Sequence, residues 1–168
     1  MCSGPRLLVV LTALLATAML VSCGGAGPTS NRSMPPTAEL QRLLALVNEA
    51  RSQPRTCGAT AYPAAHPLVA EPRLMAAAHV HSADMHEHGF MGHMGSDGSS
   101  VSQRVEREGY AWSALGENVA WGYASPDAVM DGWLSSPGHC ANIMRLGFTE
   151  VGLGLVGTHW TQVFANPR

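Results

Sequence analysis

The sequence predicts an α+β domain, a three-layer α/β/α sandwich in which a small antiparallel sheet lies between helices. Apolar residues recur at helical spacing through the first half of the domain. The C-terminal stretch "TEVGLGLVGTHWTQVFANP" alternates around glycine, as two antiparallel strands do. Helical segments stand before and after the extended segment "GENVAWGY", which favours helices on both faces of the sheet.

The first half of the domain contains two predicted helices. "TAELQRLLALVNEARSQP" predicts a helix that Thr37 caps and that cannot continue through Pro54. Residues 54–70 are predicted to form a loop. A second helix opens at Pro72 and stops at Gly89, since proline suits a first helical position and glycine a C-terminal cap. Its predicted buried face consists of Leu74, Ala77, Ala78, His81 and Met85.

Shorter elements follow in the second half. "SVSQRVEREG" predicts a short amphipathic helix that ends at Gly109, before the extended segment "GENVAWGY". Ser125 and Pro126 predict the start of a further helix. Ser136 and Pro137 predict that another short turn of helix, "PGHCANIM", begins here, with Ser136 as its cap.

The N-terminus has the features of an export signal. Arg6 precedes an apolar run over residues 7–22, which is shorter than the ~20 residues needed to span a bilayer. Its ending, "LVSCG", resembles the bacterial lipobox, in which a cysteine is lipidated and the chain is cleaved just before it. We therefore predict a lipoprotein signal peptide over residues 1–22 and lipidation of Cys23. An ordinary signal peptide or an uncleaved anchor are the alternatives.

Composition divides the rest of the chain into a tether and a domain. Residues 23–36 contain Gly, Pro and Ser with almost no large apolar side chains, so we predict a disordered tether. Residues 37–168 are long enough to form one domain with its own core. Ten basic residues, all arginine, face twelve acidic ones without a basic run, which argues against nucleic acid as a partner.

Two cysteines remain in the domain, Cys57 and Cys140. In an oxidising compartment such a pair most often forms a disulfide. Closing a loop of about 83 residues would stabilise the fold by ~4 kcal/mol in the chain-entropy model. The alternative is that Cys140, beside His139, is a thiolate nucleophile, and a disulfide would consume that thiol.

Four segments in order resemble one family: "HSADM…GFMGHMGSDGSS", "GENVAWG", "GWLSSPGHCANIM" and "FTEVGLGL…HWTQVF". They resemble the CAP superfamily, which unites cysteine-rich secretory proteins, antigen 5 and pathogenesis-related class 1 proteins, and its bacterial secreted branch most of all. The resemblance covers about residues 37–167. It implies the CAP (SCP) fold, which is a three-layer α/β/α sandwich.

The resemblance also implies a cleft that holds two histidines and two acids. The family's motifs place His93, Glu117 and His159 in this cleft. Ser136 stands where the family usually has the second acid, so the set is incomplete. His139 of "SPGH" is typical of the bacterial branch and is expected to face the same cleft.

The chemistry of this residue set permits two interpretations. Two neutral imidazoles and one carboxylate, His93, His159 and Glu117, suit Zn²⁺ or another divalent cation with an open position for water. No local ligand motif supports a metal, because "HEH" at residues 86–88 lacks the H-E-x-x-H spacing. The alternative is a hydrogen-bonded polar cluster that shapes the cleft. The sequence therefore assigns no cofactor, and a divalent cation stays a candidate.

The other histidines of "HVHSADMHEHGFMGH" are expected to have no role in ligand binding. His79, His86 and His88 are predicted to lie on a solvated helix face or its frayed end. His81 is predicted to pack between helices as a structural residue, with Ser82 or Asp84 nearby.

We therefore predict an exported protein, lipid-anchored through Cys23 at the periplasmic or extracellular face of a bacterial cell envelope. The domain is expected to be a monomeric, non-catalytic binding module for a small amphipathic ligand such as a lipid or sterol, a glycan or a protein. One alternative is a metal-assisted or Ser/Cys hydrolase acting on peptide or cell-wall material. Another is a structural envelope scaffold, in which the polar cluster only supports folding.

Overall fold

The computed structural model describes residues 37–168. The predicted signal peptide, the lipidated Cys23 and the tether lie outside the described residues. The helices and strands, in chain order, are α1 (Ala38–Arg51), β1 (Arg55–Cys57), β2 (Thr60–Tyr62), β3 (Val69–Ala70), α2 (Pro72–His88), α3 (Val101–Arg107), β4 (Trp112–Trp121), α4 (Pro126–Ser135), α5 (Pro137–Met144), β5 (Glu150–Val156) and β6 (His159–Pro167). Within the described part of the chain, no helix has the length and apolar character needed to cross a bilayer.

The main sheet has the strand order β3-β5-β6-β4. β5, β6 and β4 are antiparallel neighbours, as the sequence predicts, whereas the two-residue strand β3 runs parallel to β5. The prediction that residues 54–70 form only a loop is wrong. This segment contains β3 and a hairpin of β1 and β2, elements too short to show a hydrophobic period in the sequence.

Helices cover both faces of this sheet, which confirms the three-layer sandwich. Leu153, Trp160 and Phe164 belong to the core that the sheet shares with α1, α4 and α5. Val163 and Ala165, whose side chains alternate with these, belong to a second core with α2 and α3. The period of two along β6 thus divides the interior between the two helical layers.

Two glycines of β5 let α2 lie directly on the sheet. A Cβ at Gly152 would collide with the backbone carbonyl of Leu74, and one at Gly154 with that of Ala78. Any larger residue would therefore force α2 away from the strand. The repeated glycine in "GLGLVG" reflects this close approach of backbone to backbone.

Local signals at both ends of α2 position the loop that follows it. Glu71 caps the N-terminus through the backbone N–H groups of Arg73 and Leu74. Gly89 ends the helix in the left-handed conformation, with φ of 65°. The loop ends at Ser100, which caps α3 in a capping box with Gln103.

The disulfide between Cys57 and Cys140 is confirmed. It joins β1 to α5 across 83 residues of sequence. Because both sulfurs are in the bond, Cys140 has no free thiol in this structure, and the nucleophile alternative loses its reactive group.

Side chains from α4 and α5 cover part of the outer edge of β4. Asn142 Nδ2 donates to the carbonyl of Glu117 at 3.2 Å, and Trp133 Nε1 donates to the carbonyl of Val119 at 3.3 Å. Outward carbonyls of an edge strand otherwise offer pairing sites to other chains. These bonds hold α4 and α5 against the middle of β4.

Arg51, at the end of α1, is fully buried, and no carboxylate among residues 37–168 forms an ion pair with it. Its guanidinium donates instead to backbone carbonyls of His66 (2.8 Å), Ile143 (2.6 Å), Arg145 (3.0 Å) and Phe148 (3.2 Å). Burial lowers the pKa of Arg51. One side chain thus ties the loops before β3 and before β5 to α1.

We predict that Arg51→Met lowers the free energy of unfolding by about 3–5 kcal/mol, because it leaves several carbonyls with no donor. Urea denaturation with the disulfide intact measures this. The matched control is Arg42→Met, which removes an exposed ion pair with Asp127 and should cost less than about 1 kcal/mol. Equal losses in the two variants would contradict the role assigned to Arg51.

Candidate functional site

A histidine–glutamate pair lies where the loop after α2 meets β4. His93 Nδ1 and Glu117 Oε1 are 2.8 Å apart. The Glu117 side chain is 3 % exposed, whereas that of His93 is 60 % exposed. The carboxylate therefore orients the imidazole from inside, while the rest of the ring faces solvent.

Arg104 of α3 holds this pair from behind. Its Nη2 donates to Glu117 Oε2 at 2.7 Å and to the carbonyl of His93 at 3.1 Å, and its Nη1 donates to the carbonyl of Ser99 at 2.7 Å. The sequence alone did not predict this role of Arg104. One sequence signal could have indicated it: Arg104 stands beside Val105 on the apolar face of a short helix. A cation that is buried on such a face requires a hydrogen-bond acceptor.

Further contacts fix the loop that carries His93. His81 Nε2 contacts the carbonyl of Gly92 at 2.8 Å. Asp84 accepts from the backbone N–H of Ser96 at 2.8 Å and from its hydroxyl at 2.5 Å. The buried His81 thus has the structural role that the sequence predicted, and burial lowers its pKa.

His139 approaches from the opposite side of β4. Asn118 Nδ2 donates to the His139 carbonyl at 3.1 Å and to Gln162 Oε1 at 3.0 Å, and Asn142 Nδ2 donates to Asn118 Oδ1 at 2.9 Å. Asn118 and Gln162 are buried, so this amide network fixes the backbone at the start of α5.

The two imidazoles at this edge of the sheet differ in their electrostatic surroundings. The hydrogen bond to Glu117 raises the pKa of His93, although partial burial opposes the effect. Burial, with a smaller contribution from His93, lowers the pKa of His139. The site thus places one histidine that favours its cation beside one that favours its neutral form.

His159 does not join this pair. It is the first residue of β6 and lies opposite Trp121, while Glu117 lies opposite Val163. Trp121 and Glu117 are four residues apart on one strand, or about 13 Å at the usual rise per residue. The register of β4 and β6 therefore separates His159 from the His93–Glu117 pair.

His159 has different neighbours. Its ring stacks on Trp121, with centroids 5.2 Å apart, and meets the His86 ring edge-on at 5.4 Å. Burial lowers its pKa, with His86 as the next cause, and the backbone carbonyl of Val156 opposes the shift. His86 is exposed, as predicted, but it also packs against His159, a contact that helical periodicity in the sequence does not reveal.

Ser136 lies at the junction of α4 and α5, half-buried. The prediction that its side chain caps α5 is wrong, because the side chain makes no capping hydrogen bond. Its carbonyl accepts from the N–H of Cys140 at 2.9 Å, which is an ordinary bond of the first helical turn.

The predicted metal set of His93, Glu117 and His159 does not fit a divalent cation. Among residues 37–168, no three His, Cys, Asp or Glu side chains gather as metal ligands. Both oxygens of Glu117 already accept hydrogen bonds, one of them from the Arg104 cation. A divalent ion at Glu117 would have to displace these partners and approach a buried positive charge.

Comparison with known proteins identifies the family. The family model for CAP, the cysteine-rich secretory protein family, matches residues 44–164, which is most of the described domain. The chain belongs to the CAP family. This CAP domain is also 33% identical over 100 residues to the uncharacterized protein YkwD of Bacillus subtilis, a match that covers 58% of this chain and 39% of that protein.

A second relative of this CAP domain is the uncharacterized membrane protein YlbC of Bacillus subtilis. It is 32% identical over 84 residues, which cover 50% of this chain and 24% of that protein. The chain therefore spans well under half the length of both curated relatives.

Solved structures share the fold of this CAP domain. An extracellular protein from Bacillus anthracis that contains an SCP domain has a TM-score of 0.66 and 25% identity, over 79% of this chain and 44% of that chain. An outer surface protein from Borrelia burgdorferi has a TM-score of 0.64 and 17% identity, over 77% of this chain and 93% of that chain. The second likeness shows the fold alone. Both agree with the three-layer sandwich.

We predict that His93 titrates above its ordinary pKa of 6.5 and His139 below it. Proton NMR of the ring signals measures both pKa values in one titration. The pKa of His93 is higher in the folded protein than in the unfolded chain. Its pairing with Glu117 therefore stabilises the fold fully below pH 6.5. That contribution disappears as pH rises through the folded pKa. A reversed order of the two pKa values would contradict this geometry.

Proposed function

We propose that this CAP domain is a binding module whose cleft is lined by His93, Glu117 and His139 at the edge of β4, and that it does not turn its ligand over. One observation carries the proposal. Both Glu117 oxygens are engaged, by His93 and by Arg104. The carboxylate therefore orients an exposed imidazole and is not free to act as a nucleophile.

The groups nearest to His139 in the sequence support binding over hydrolysis. Cys140 is in the disulfide, and the Ser135 hydroxyl donates to the carbonyl of Asp131 in its own helix at 2.7 Å. A serine or cysteine nucleophile needs a base within hydrogen-bond reach and an oriented third group. The described contacts of these residues serve the fold instead.

The surface around His93 favours an amphipathic ligand. Met91 and Met94 flank this histidine in the loop after α2, and both are exposed. Methionine is flexible and polarisable, and so suits binding of irregular apolar groups. The polar end of the ligand would meet His93 and its apolar part would lie on the two methionines. A glycan or a protein segment are the other ligand classes to test.

We further propose that the protein is exported and held at a bacterial envelope through lipid on Cys23. The Cys57–Cys140 disulfide supports an oxidising compartment. The solved SCP-domain protein from Bacillus anthracis is an extracellular protein, and the fold neighbour from Borrelia burgdorferi is an outer surface protein. The lipobox-like "LVSCG" provides the attachment residue.

The anchor predicts a defined mass. Expressed in a bacterium that processes lipoproteins, the protein should lose residues 1–22, carry acyl groups on Cys23 and fractionate with membranes. Cys23→Ser should abolish both the acylation and the fractionation. Intact-mass spectrometry of the detergent-extracted protein measures this. An unmodified Cys23 in a cleaved chain would disprove the anchor and leave export intact.

The binding proposal predicts ligand retention without product. Native mass spectrometry of the full chain, after incubation with envelope lipid extract or with muropeptides, should detect a bound species. His93→Gln should reduce its occupancy about tenfold or more, since one hydrogen bond to an ionised group contributes about 1.5–3 kcal/mol. His79→Gln, which changes an exposed histidine on α2, is the matched control.

The alternatives give different results in the same experiment. Cleaved muropeptides that disappear in His93→Gln would establish a hydrolase. If no species binds, and Glu117→Gln only lowers the unfolding midpoint, the cluster is a structural scaffold. Either result would overturn the binding proposal.

A further inference from the structure

Two methionines beside the cleft differ from the other methionines of the domain in their exposure. Met91 and Met94, here called the rim methionines, are 54 % and 55 % exposed and lie on either side of His93 in the sequence. The other methionines of residues 37–168, here called the core methionines, lie in or against the core: Met75, Met85, Met130 and Met144. The described domain thus offers its methionine sulfur to solvent beside His93.

The core methionines are protected from a dissolved oxidant. Met85, Met130 and Met144 are buried. Met75 is partly buried, and its Sδ accepts from the backbone N–H of Leu153 at 3.0 Å. Because oxidation of a thioether requires contact between the sulfur and the oxidant, the folded domain should be oxidised first at the rim methionines.

Hydrogen bonds fix the backbone between the two rim methionines. The carbonyl of Gly92 lies 2.8 Å from His81 Nε2, and the carbonyl of His93 accepts from Arg104 Nη2 at 3.1 Å. His81 and Arg104 are both buried, so these anchors belong to the interior of the domain. A chemical change at either rim sulfur should therefore alter the surface beside His93 and leave the path of the loop unchanged.

We propose that Met91 and Met94 form a reversible oxidation site that controls ligand binding at the cleft, with hydrogen peroxide as the oxidant. The thioether sulfur attacks one peroxide oxygen, an S–O bond forms and the O–O bond breaks. The departing hydroxide takes the proton of the transferred oxygen and leaves as water, so sulfur is oxidised and peroxide is reduced. Two thiols, acting through methionine sulfoxide reductases, return the sulfoxide to the thioether and yield a disulfide and water.

The effect on binding rests on the proposed function, in which the apolar part of an amphipathic ligand lies on the rim methionines. A sulfoxide is polar and chiral, whereas the thioether is apolar and flexible. An apolar chain could cover the oxidised rim only by removing water from the two S–O groups. His93 and Glu117 are not changed by this reaction, so the loss of affinity should come from the apolar part of the ligand.

The first measurement concerns the site of oxidation and needs no ligand. The full chain, folded and with its disulfide intact, is treated with increasing hydrogen peroxide, and peptide mass spectrometry locates the added oxygen. The rim methionines should be oxidised well before the core methionines. In guanidinium the rim and core methionines should react at similar rates. Equal oxidation of rim and core methionines in the folded protein would overturn the site.

The second measurement concerns ligand binding, with myristoyl lysophosphatidylglycerol as a single-chain amphipathic probe. Native mass spectrometry should show about tenfold lower probe occupancy after selective oxidation, because two thioethers lose the transfer energy of about one CH₂ group each. Methionine sulfoxide reductases with a dithiol should restore occupancy, and the dithiol alone should not. In the double variant Met91→Leu, Met94→Leu, the ratio of occupancy before and after peroxide should stay at one.

Each remaining outcome has a defined meaning. Selective oxidation without a change in occupancy would overturn the control of binding and leave the binding module in place. A loss that the reductases do not reverse, or that also occurs in the double leucine variant, would assign the damage to other residues and overturn the proposal. If the untreated protein does not retain the probe, the amphipathic ligand is wrong and the control of its binding is wrong with it. That failure of the proposed function is recognised before any oxidant is added.

Discussion

The buried ion pair of Arg104 and Glu117 is the interaction on which the candidate cleft depends. Both side chains are 3 % exposed and lie 2.7 Å apart. Such a pair adds little net stability, because desolvation offsets much of the attraction, yet removing one partner costs about 3–5 kcal/mol. Its main effect is therefore geometric: it fixes α3, the loop with His93 and the middle of β4 relative to one another.

The same pair determines the character of the exposed imidazole. Glu117 accepts from Arg104 through one oxygen and meets His93 through the other. Its charge is compensated inside the protein, so the cleft does not present a free carboxylate. This arrangement suits a site that orients a ligand by hydrogen bonds and makes a carboxylate-bound metal at Glu117 unfavourable.

The sheet distributes the histidines into separate environments. Glu117 and Trp121 project from the same face of β4, but the strand between them is long enough to keep their neighbours apart. His93 therefore pairs with an acid, while His159 lies between an indole and His86. Identical side chains acquire different chemistry because pKa and ligand preference follow from local burial and charge.

Periodicity and turn chemistry, which are local properties, determined much of this protein from the sequence alone. Thr37, Gly89 and the glycine-rich alternation before "HWTQVF" predicted α1, α2 and the β5–β6 hairpin. Two cysteines in the domain of a chain expected to be exported predicted the disulfide. The CAP fold was predicted from four motifs that follow one another in the order typical of the family, and the family model confirms it.

Only the tertiary structure decided which residues meet. The register of β4 against β6 separated His159 from Glu117, and the packing of α2 on Gly152 and Gly154 brought His86 to His159. Arg104 acquired its partner in the same way. Strand register and helix docking are set by side-chain packing between segments distant in the chain, and neither has a period that a single segment displays.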